Sequence, residues 1–188
     1  FEFDHKDVIY VRIDRRRKLH VSVLLKALGY SVEELLHYFY DQETVYLGKG
    51  DRYYISFEPK LYAGQRAAQD WADENGKVIV EKNKKFTASV LKKIEDQKIK
   101  RFPINREHLI GKVCSQDVID LETGEVLLEC NEEVSEEKLD LLLSKKITEF
   151  KVIYSDRVNV GTYFRDTLIQ DKVNSRDEAI IEIYRRLR

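Results

Sequence analysis

Residues 8–19 read Val8-Ile9-Tyr10-Val11-Arg12-Ile13-Asp14-Arg15-Arg16-Arg17-Lys18-Leu19. The run opens as a strand, with Val8, Tyr10 and Arg12 alternating with Ile9, Val11 and Ile13. It closes on four consecutive cations, Arg15, Arg16, Arg17 and Lys18, just after Asp14. Helical apolar spacing then begins at Val21. A strand that delivers an arginine cluster to a turn holds several planar guanidinium forks at one place. Such forks suit phosphate oxygens, and neutralising phosphates supplies most sequence-independent affinity for nucleic acid. A solvated turn, or a set of partners for acidic side chains, fits the same charges, so charge alone leaves both readings open.

Outward from this run the elements punctuate themselves. A short helix over 21–28 is expected to end at Gly29, which can take the positive φ of a C-terminal cap. Ser31-Val32-Glu33-Glu34 is a capping box that opens a helix carrying Leu35, Leu36 and Phe39. Strands over 44–47 and 52–57 follow, joined across Gly48-Lys49-Gly50-Asp51. Near the C-terminus Ser175-Arg176-Asp177-Glu178 forms a second capping box. The helix after it brings Ala179, Ile180, Ile183, Tyr184 and Leu187 to one face, the pattern of a core stripe.

The middle of the chain contains an internal repeat. Gly76-Lys-Val-Ile-Val-Glu-Lys-Asn-Lys-Lys-Phe-Thr returns as Gly124-Glu-Val-Leu-Leu-Glu-Cys-Asn-Glu-Glu-Val-Ser, an offset of 48. The same offset pairs Leu91 with Leu139, Ile99 with Ile147 and Phe102 with Phe150. Upstream, Gly64 pairs with Gly111 at 47. Each copy reads as a strand, a glycine turn, a second strand, a helix capped by Thr87 or Ser135, and a last strand. The copies differ in charge: 62–104 carries a net +4 and 110–153 a net −6. Drift on solvated faces accounts for this. So does a division in which one copy meets a polyanion, or each meets a different protein.

The rest of the composition is mostly exclusion. The chain has 188 residues, enough for one domain or two small ones, and a net charge of −1, so any nucleic-acid contact is local. No apolar stretch reaches the roughly 18 residues that span a bilayer, and no signal peptide is visible. Methionine is absent and Phe1 sits inside a strand-like pattern, which leads to the expectation of a piece of something longer, or else of a processed N-terminus. Cys114 and Cys130 make no disulfide framework and have no companions at zinc-ligand spacing. Placed about the turn near Glu122, they are expected on neighbouring antiparallel strands, opposite each other or one place out of register, as packing residues. His5, His20, His37 and His108 are scattered. Gly48-Lys49-Gly50 lacks the rest of a phosphate loop, and no nucleophile motif or carboxylate cluster suggests a catalytic or magnesium site.

Val11-Arg-Ile-Asp-Arg-Arg-Arg-Lys-Leu19, with Phe1-Glu-Phe-Asp4 before it and Leu24-Leu-Lys-Ala-Leu-Gly-Tyr30 after it, resembles the lobe domain of the bacterial RNA polymerase β subunit. The closing Glu182-Ile-Tyr-Arg-Arg-Leu-Arg188 resembles a helix near the end of that lobe. His20 departs from the family, which commonly has proline there. The likeness covers 1–41 and 172–188. The middle resembles the insertion that some bacterial lineages carry within the lobe.

The resemblance implies an α+β fold: a small mixed lobe core, 1–41 and 172–188, interrupted by a β-rich insertion over 42–171 built from the two hairpin–helix–strand repeats. It implies a segment that lines the DNA cleft of a cytoplasmic DNA-directed RNA polymerase, a nucleotidyltransferase as a whole complex. Arg15, Arg16, Arg17 and Lys18 are then the nucleic-acid-binding residues. No catalytic residue, cofactor or metal ligand is expected in this segment, since the family's catalytic magnesium is held by aspartates of another subunit. The implied partners are the other polymerase subunits, promoter and downstream DNA, and transcription regulators at the insertion, with no membrane role. A reducing cytoplasm implies free thiols at Cys114 and Cys130. The competing reading is a free-standing protein-interaction module without nucleic acid, favoured by the near-neutral charge and the acidic second repeat.

Overall fold

A computed structural model describes every residue except Arg15, Arg16, Glu74 and 156–159. The chain divides into two compact units, Phe1–Tyr40 with Ser155–Arg188, and Asp41–Tyr154. The first segment runs β1 (Glu2–Phe3), β2 (Ile9–Val11), β3 (Leu19–His20), α1 (Val21–Ala27) and α2 (Val32–Phe39). The second unit runs β4 (Gln42–Leu47), β5 (Tyr53–Ser56), α3 (Pro59–Tyr62), β6 (Trp71–Ala72), β7 (Val78–Val80), α4 (Ala88–Asp96) and β8 (Arg101–Ile104). It continues through α5 (Arg106–Leu109), β9 (Val118–Ile119), β10 (Val126–Leu128), α6 (Glu136–Ser144) and β11 (Glu149–Ile153). The chain then returns to the first unit with α7 (Tyr163–Gln170) and α8 (Arg176–Leu187). The expected α+β class is what the chain adopts.

In the first unit β1, β2 and β3 form an antiparallel sheet, with Tyr10 opposite His20 and Val11 opposite Leu19. Val11, Leu19 and Val23 are buried with Ala179 of α8 in one cluster. His20 is the N-cap of α1 at φ −61°, the angle a proline would impose, and it offers no side-chain cap. The departure from proline therefore leaves the backbone path intact. Gly29 follows the C-cap at φ +105°. The Ser31 hydroxyl accepts from the Glu34 N–H while the Glu34 carboxylate accepts from the Ser31 N–H, so the first capping box is complete. The second is not closed as expected. Ser175 accepts from the Glu178 N–H, but the Glu178 carboxylate reaches the Asn174 N–H instead.

Two further features of this unit bear on the sequence reading. The expected 42–171 insertion takes in α7, and α7 packs in the first unit. Phe164 stacks on Phe39 at 4.1 Å between ring centres, and the Thr167 hydroxyl accepts the Ile9 N–H at 2.9 Å. A buried ion pair fixes the end of α7: Lys26 Nζ lies 2.9 Å from the Asp171 carboxylate and donates to the Val173 carbonyl at 2.6 Å. The α8 stripe is also narrower than its periodicity suggests. Ala179 is fully buried, whereas Ile180 and Tyr184 are exposed. α8 meets α1 along one line, and a single helix contact covers less than the whole apolar face.

The second unit carries the repeat into three dimensions. Its four-stranded antiparallel sheet has the order β11-β4-β5-β8. α3 and α5 begin at Pro59 and Arg106, offset by 47, and α4 and α6 begin at Ala88 and Glu136, offset by 48. β6 and β7 pair as one hairpin, β9 and β10 as the other. Asn83 and Asn131 take matching positive φ values of 66° and 70°. Thr87 and Ser135 cap their helices by accepting from Val90 and Lys138. The copies share positions and differ in filling. Tyr62, Trp71 and Phe86 pack with Phe57 and Phe102 in an aromatic cluster. Their counterparts in the second copy are the buried aliphatic residues Leu109, Val118 and Val134.

The cysteine register shifts. A bulge between Val126 and Leu128 displaces the β9–β10 pairing. The Cys114 N–H then donates to the Glu132 carbonyl and its carbonyl accepts from Asn131, which leaves Cys130 two places from Glu132. Neither cysteine is in a disulfide, and Cys114 occupies the buried position held by Ala67 in the first copy.

Candidate nucleic-acid interface

The turn that carries the cations is mounted on the best-anchored pair of the first sheet. Val11 before it and Leu19 after it face each other and are both buried. Their burial fixes the two ends of the 12–18 segment. Asp14 enters the turn at φ +51°, a left-handed conformation that aspartate tolerates better than most residues. Arg15 and Arg16 lie outside the described residues. Arg17 and Lys18 are both exposed.

The surroundings keep the described cations available. Lys18 Nζ sits 4.2 Å from the centre of the Tyr10 ring, a cation–π contact. Tyr10 in turn stacks on His20 at 4.9 Å. Arg12, next along the strand, is held by Glu2 at 3.1 Å. Arg17 has no ion-pair partner among the described residues. Burial holds His20 below its ordinary pKa, opposed by the Asp171 charge and reinforced by Arg186, which favours the neutral imidazole. Desolvation, followed by the Asp4 carboxylate, pushes the Tyr10 phenol up, so it stays a hydrogen-bond donor.

Several charged positions in the first unit escape a reading of the sequence. Lys172, Arg185 and Arg186 line a cleft together with Lys18 and His20. Their separation in sequence hides the grouping; the only local signal is the Arg185-Arg186 pair on a helix whose apolar face draws attention first.

The second unit differs in how its two repeats use charge. Lys112, Lys138 and Lys145 of the acidic copy pair with Glu43, Glu132 and Asp120 at 2.9–3.1 Å. Lys82, Lys84, Lys85, Lys92 and Lys93 of the basic copy have no ion-pair partner among the described residues. On the sheet, Tyr46 stands opposite Tyr54, and Tyr54 opposite Pro103. The Arg101 guanidinium lies 4.8 Å from the Tyr54 ring centre and 5.8 Å from that of Tyr46. Tyrosine rings and arginine are residue types enriched in protein-binding surfaces.

Among the described residues no group of three or more His, Cys, Asp or Glu could hold a metal ion. No helix among them is long and apolar enough to cross a membrane.

No protein-family profile matches the chain. Curated relatives do. The chain is 53% identical over 188 residues to the DNA-directed RNA polymerase subunit beta of Sorangium cellulosum. It is 50% identical over 188 residues to that of Syntrophotalea carbinolica, and 48% over 202 to that of Myxococcus xanthus. Each match takes in the whole of this chain and 14% of the relative, so the chain spans about one-seventh of their length.

Proposed function

We propose that the chain is a segment of a bacterial DNA-directed RNA polymerase β subunit, to which its whole length is similar, and that it lines the DNA cleft of the assembled polymerase. Arg15, Arg16, Arg17 and Lys18 contact phosphates of promoter and downstream DNA. The observation that carries this reading is the mounting of the basic turn on the buried Val11–Leu19 pair, within a segment that matches the β subunit from end to end. Phosphate contacts position a duplex without reading its sequence, which suits an enzyme that must hold any template.

In this reading the segment supplies position, not chemistry. The complex is the nucleotidyltransferase, working in the cytoplasm with the other polymerase subunits, and its magnesium is bound elsewhere. The Asp41–Tyr154 unit, the compact part of the expected 42–171 insertion, is a docking surface for regulatory proteins, with the Tyr46–Tyr54–Pro103 row as its most suitable face.

A photoreactive amino acid placed at Arg17 in the complete polymerase tests the cleft assignment. Crosslinking to promoter DNA in open complexes is the expected result. Crosslinking to protein alone contradicts it.

A further inference from the structure

A cleft of about 690 Å³ opens within the first unit, beside the basic turn. Lys18 and His20 line it from the end of that turn, Lys172 from the segment after α7, and Arg185 and Arg186 from α8. Glu178 and Glu182 are the carboxylates of its lining, and both are engaged. Glu178 accepts from the Asn174 N–H, and Glu182 binds Arg186 Nε at 2.8 Å. Lys172 and Arg185 are exposed and have no ion-pair partner among the described residues. Four permanent cations face two carboxylates, one of which is paired with Arg186, so the concave surface carries a net positive charge. Concave walls concentrate such a field and draw in anions. The volume lies within the range of ligand sites, large enough for more than one phosphate group.

We propose that this cleft is a second phosphate-binding site, where Lys172 and Arg185 take phosphodiester oxygens of the DNA strand that the basic turn also contacts. The inference rests on the DNA-contact reading of Arg15–Lys18, because Lys18 belongs to both the turn and the cleft. The two new residues have different parts. Arg185 offers a planar fork for two oxygens of one phosphate, and Lys172 a compact charge that follows the strand. Tyr10, with Lys18 over its ring, lines the cleft as well.

The test uses the complete polymerase carrying Lys172→Ala with Arg185→Ala, both on exposed surface. The logarithm of its binding constant for duplex promoter DNA is followed against the logarithm of salt concentration. The slope is expected to fall by about two, close to 0.9 for each phosphate left unneutralised. Lys172→Arg with Arg185→Lys keeps the charge and is expected to keep the slope. An unchanged slope in the alanine pair overturns the proposal, as does a reduced slope in the charge-keeping pair. Arg15→Ala with Arg16→Ala separates the two readings. A change there without one at Lys172 and Arg185 removes the cleft alone. A change at Lys172 and Arg185 without one at Arg15 and Arg16 removes the turn and leaves the cleft.

Discussion

Gln42 and Ile153 stand opposite each other where β4 begins and β11 ends, and the Tyr154 N–H donates to the Asp41 carbonyl at 2.7 Å. The chain therefore enters and leaves the 41–154 unit one strand spacing apart, about 5 Å. A segment with neighbouring ends can be removed without stretching what remains. Replacing 41–154 by a short glycine linker is expected to leave a polymerase that assembles and makes RNA, with the defect confined to responses to regulators. Replacing 42–171 also removes α7 and Asp171, and is expected to impair assembly. Subunit reconstitution and basal transcription assays compare the two, and equal behaviour of both deletions contradicts the division.

Lys26→Met is expected to destabilise the first unit by about 3 kcal/mol. It strands the Asp171 carboxylate, whose side chain has no exposed surface, without its counter-charge. Adding Asp171→Leu is expected to restore part of that stability. The restoration is incomplete because Asp171 also accepts from the Val173 N–H at 2.8 Å. Denaturant unfolding of the β subunit measures both.

Cys114 is expected to resist alkylation in the native protein. Burial pushes its thiol up to about 11, and the thiolate is the reactive form. Cys114→Ala is expected to cost less than about 1.5 kcal/mol, since Ala67 fills the matching place in the first repeat. Thiol titration of native and denatured protein gives the readout; rapid native labelling of Cys114 contradicts the packing role.

Asp120 sets an acid limit for the second repeat. Lys145, then the Glu122 N–H, hold its carboxyl down at about 2, below its unfolded value near 4. A depressed folded pKa stabilises above the unfolded value, and that contribution disappears as pH falls from about 4 towards 2. Asp120→Asn is expected to flatten the fall in melting temperature over that window and to leave the range above pH 5 parallel to the parent. An unaltered acid profile contradicts the assignment.

Much of this was legible because its causes are local. The Ser31 box, the Thr87 and Ser135 caps and the turns at Gly76 and Gly124 need only residues a few places apart. The repeat was legible because its spacing of 47 and 48 was set in the chain before it was set in space. The order β11-β4-β5-β8 was not, since it joins residues more than 100 positions apart. α7 escaped for the same reason: Phe39–Phe164 and Ile9–Thr167 join distant segments. At the candidate interface the cations of one run were visible, while Lys172 and Arg185 became neighbours of Lys18 only through folding.

The most direct test is the salt dependence of open promoter complexes formed by polymerase carrying Arg15→Ala with Arg16→Ala. If these arginines neutralise DNA phosphates, complexes weaken and the log–log slope falls by about one for each phosphate no longer neutralised. A slope identical to the parent enzyme's would contradict the placing of this segment against DNA.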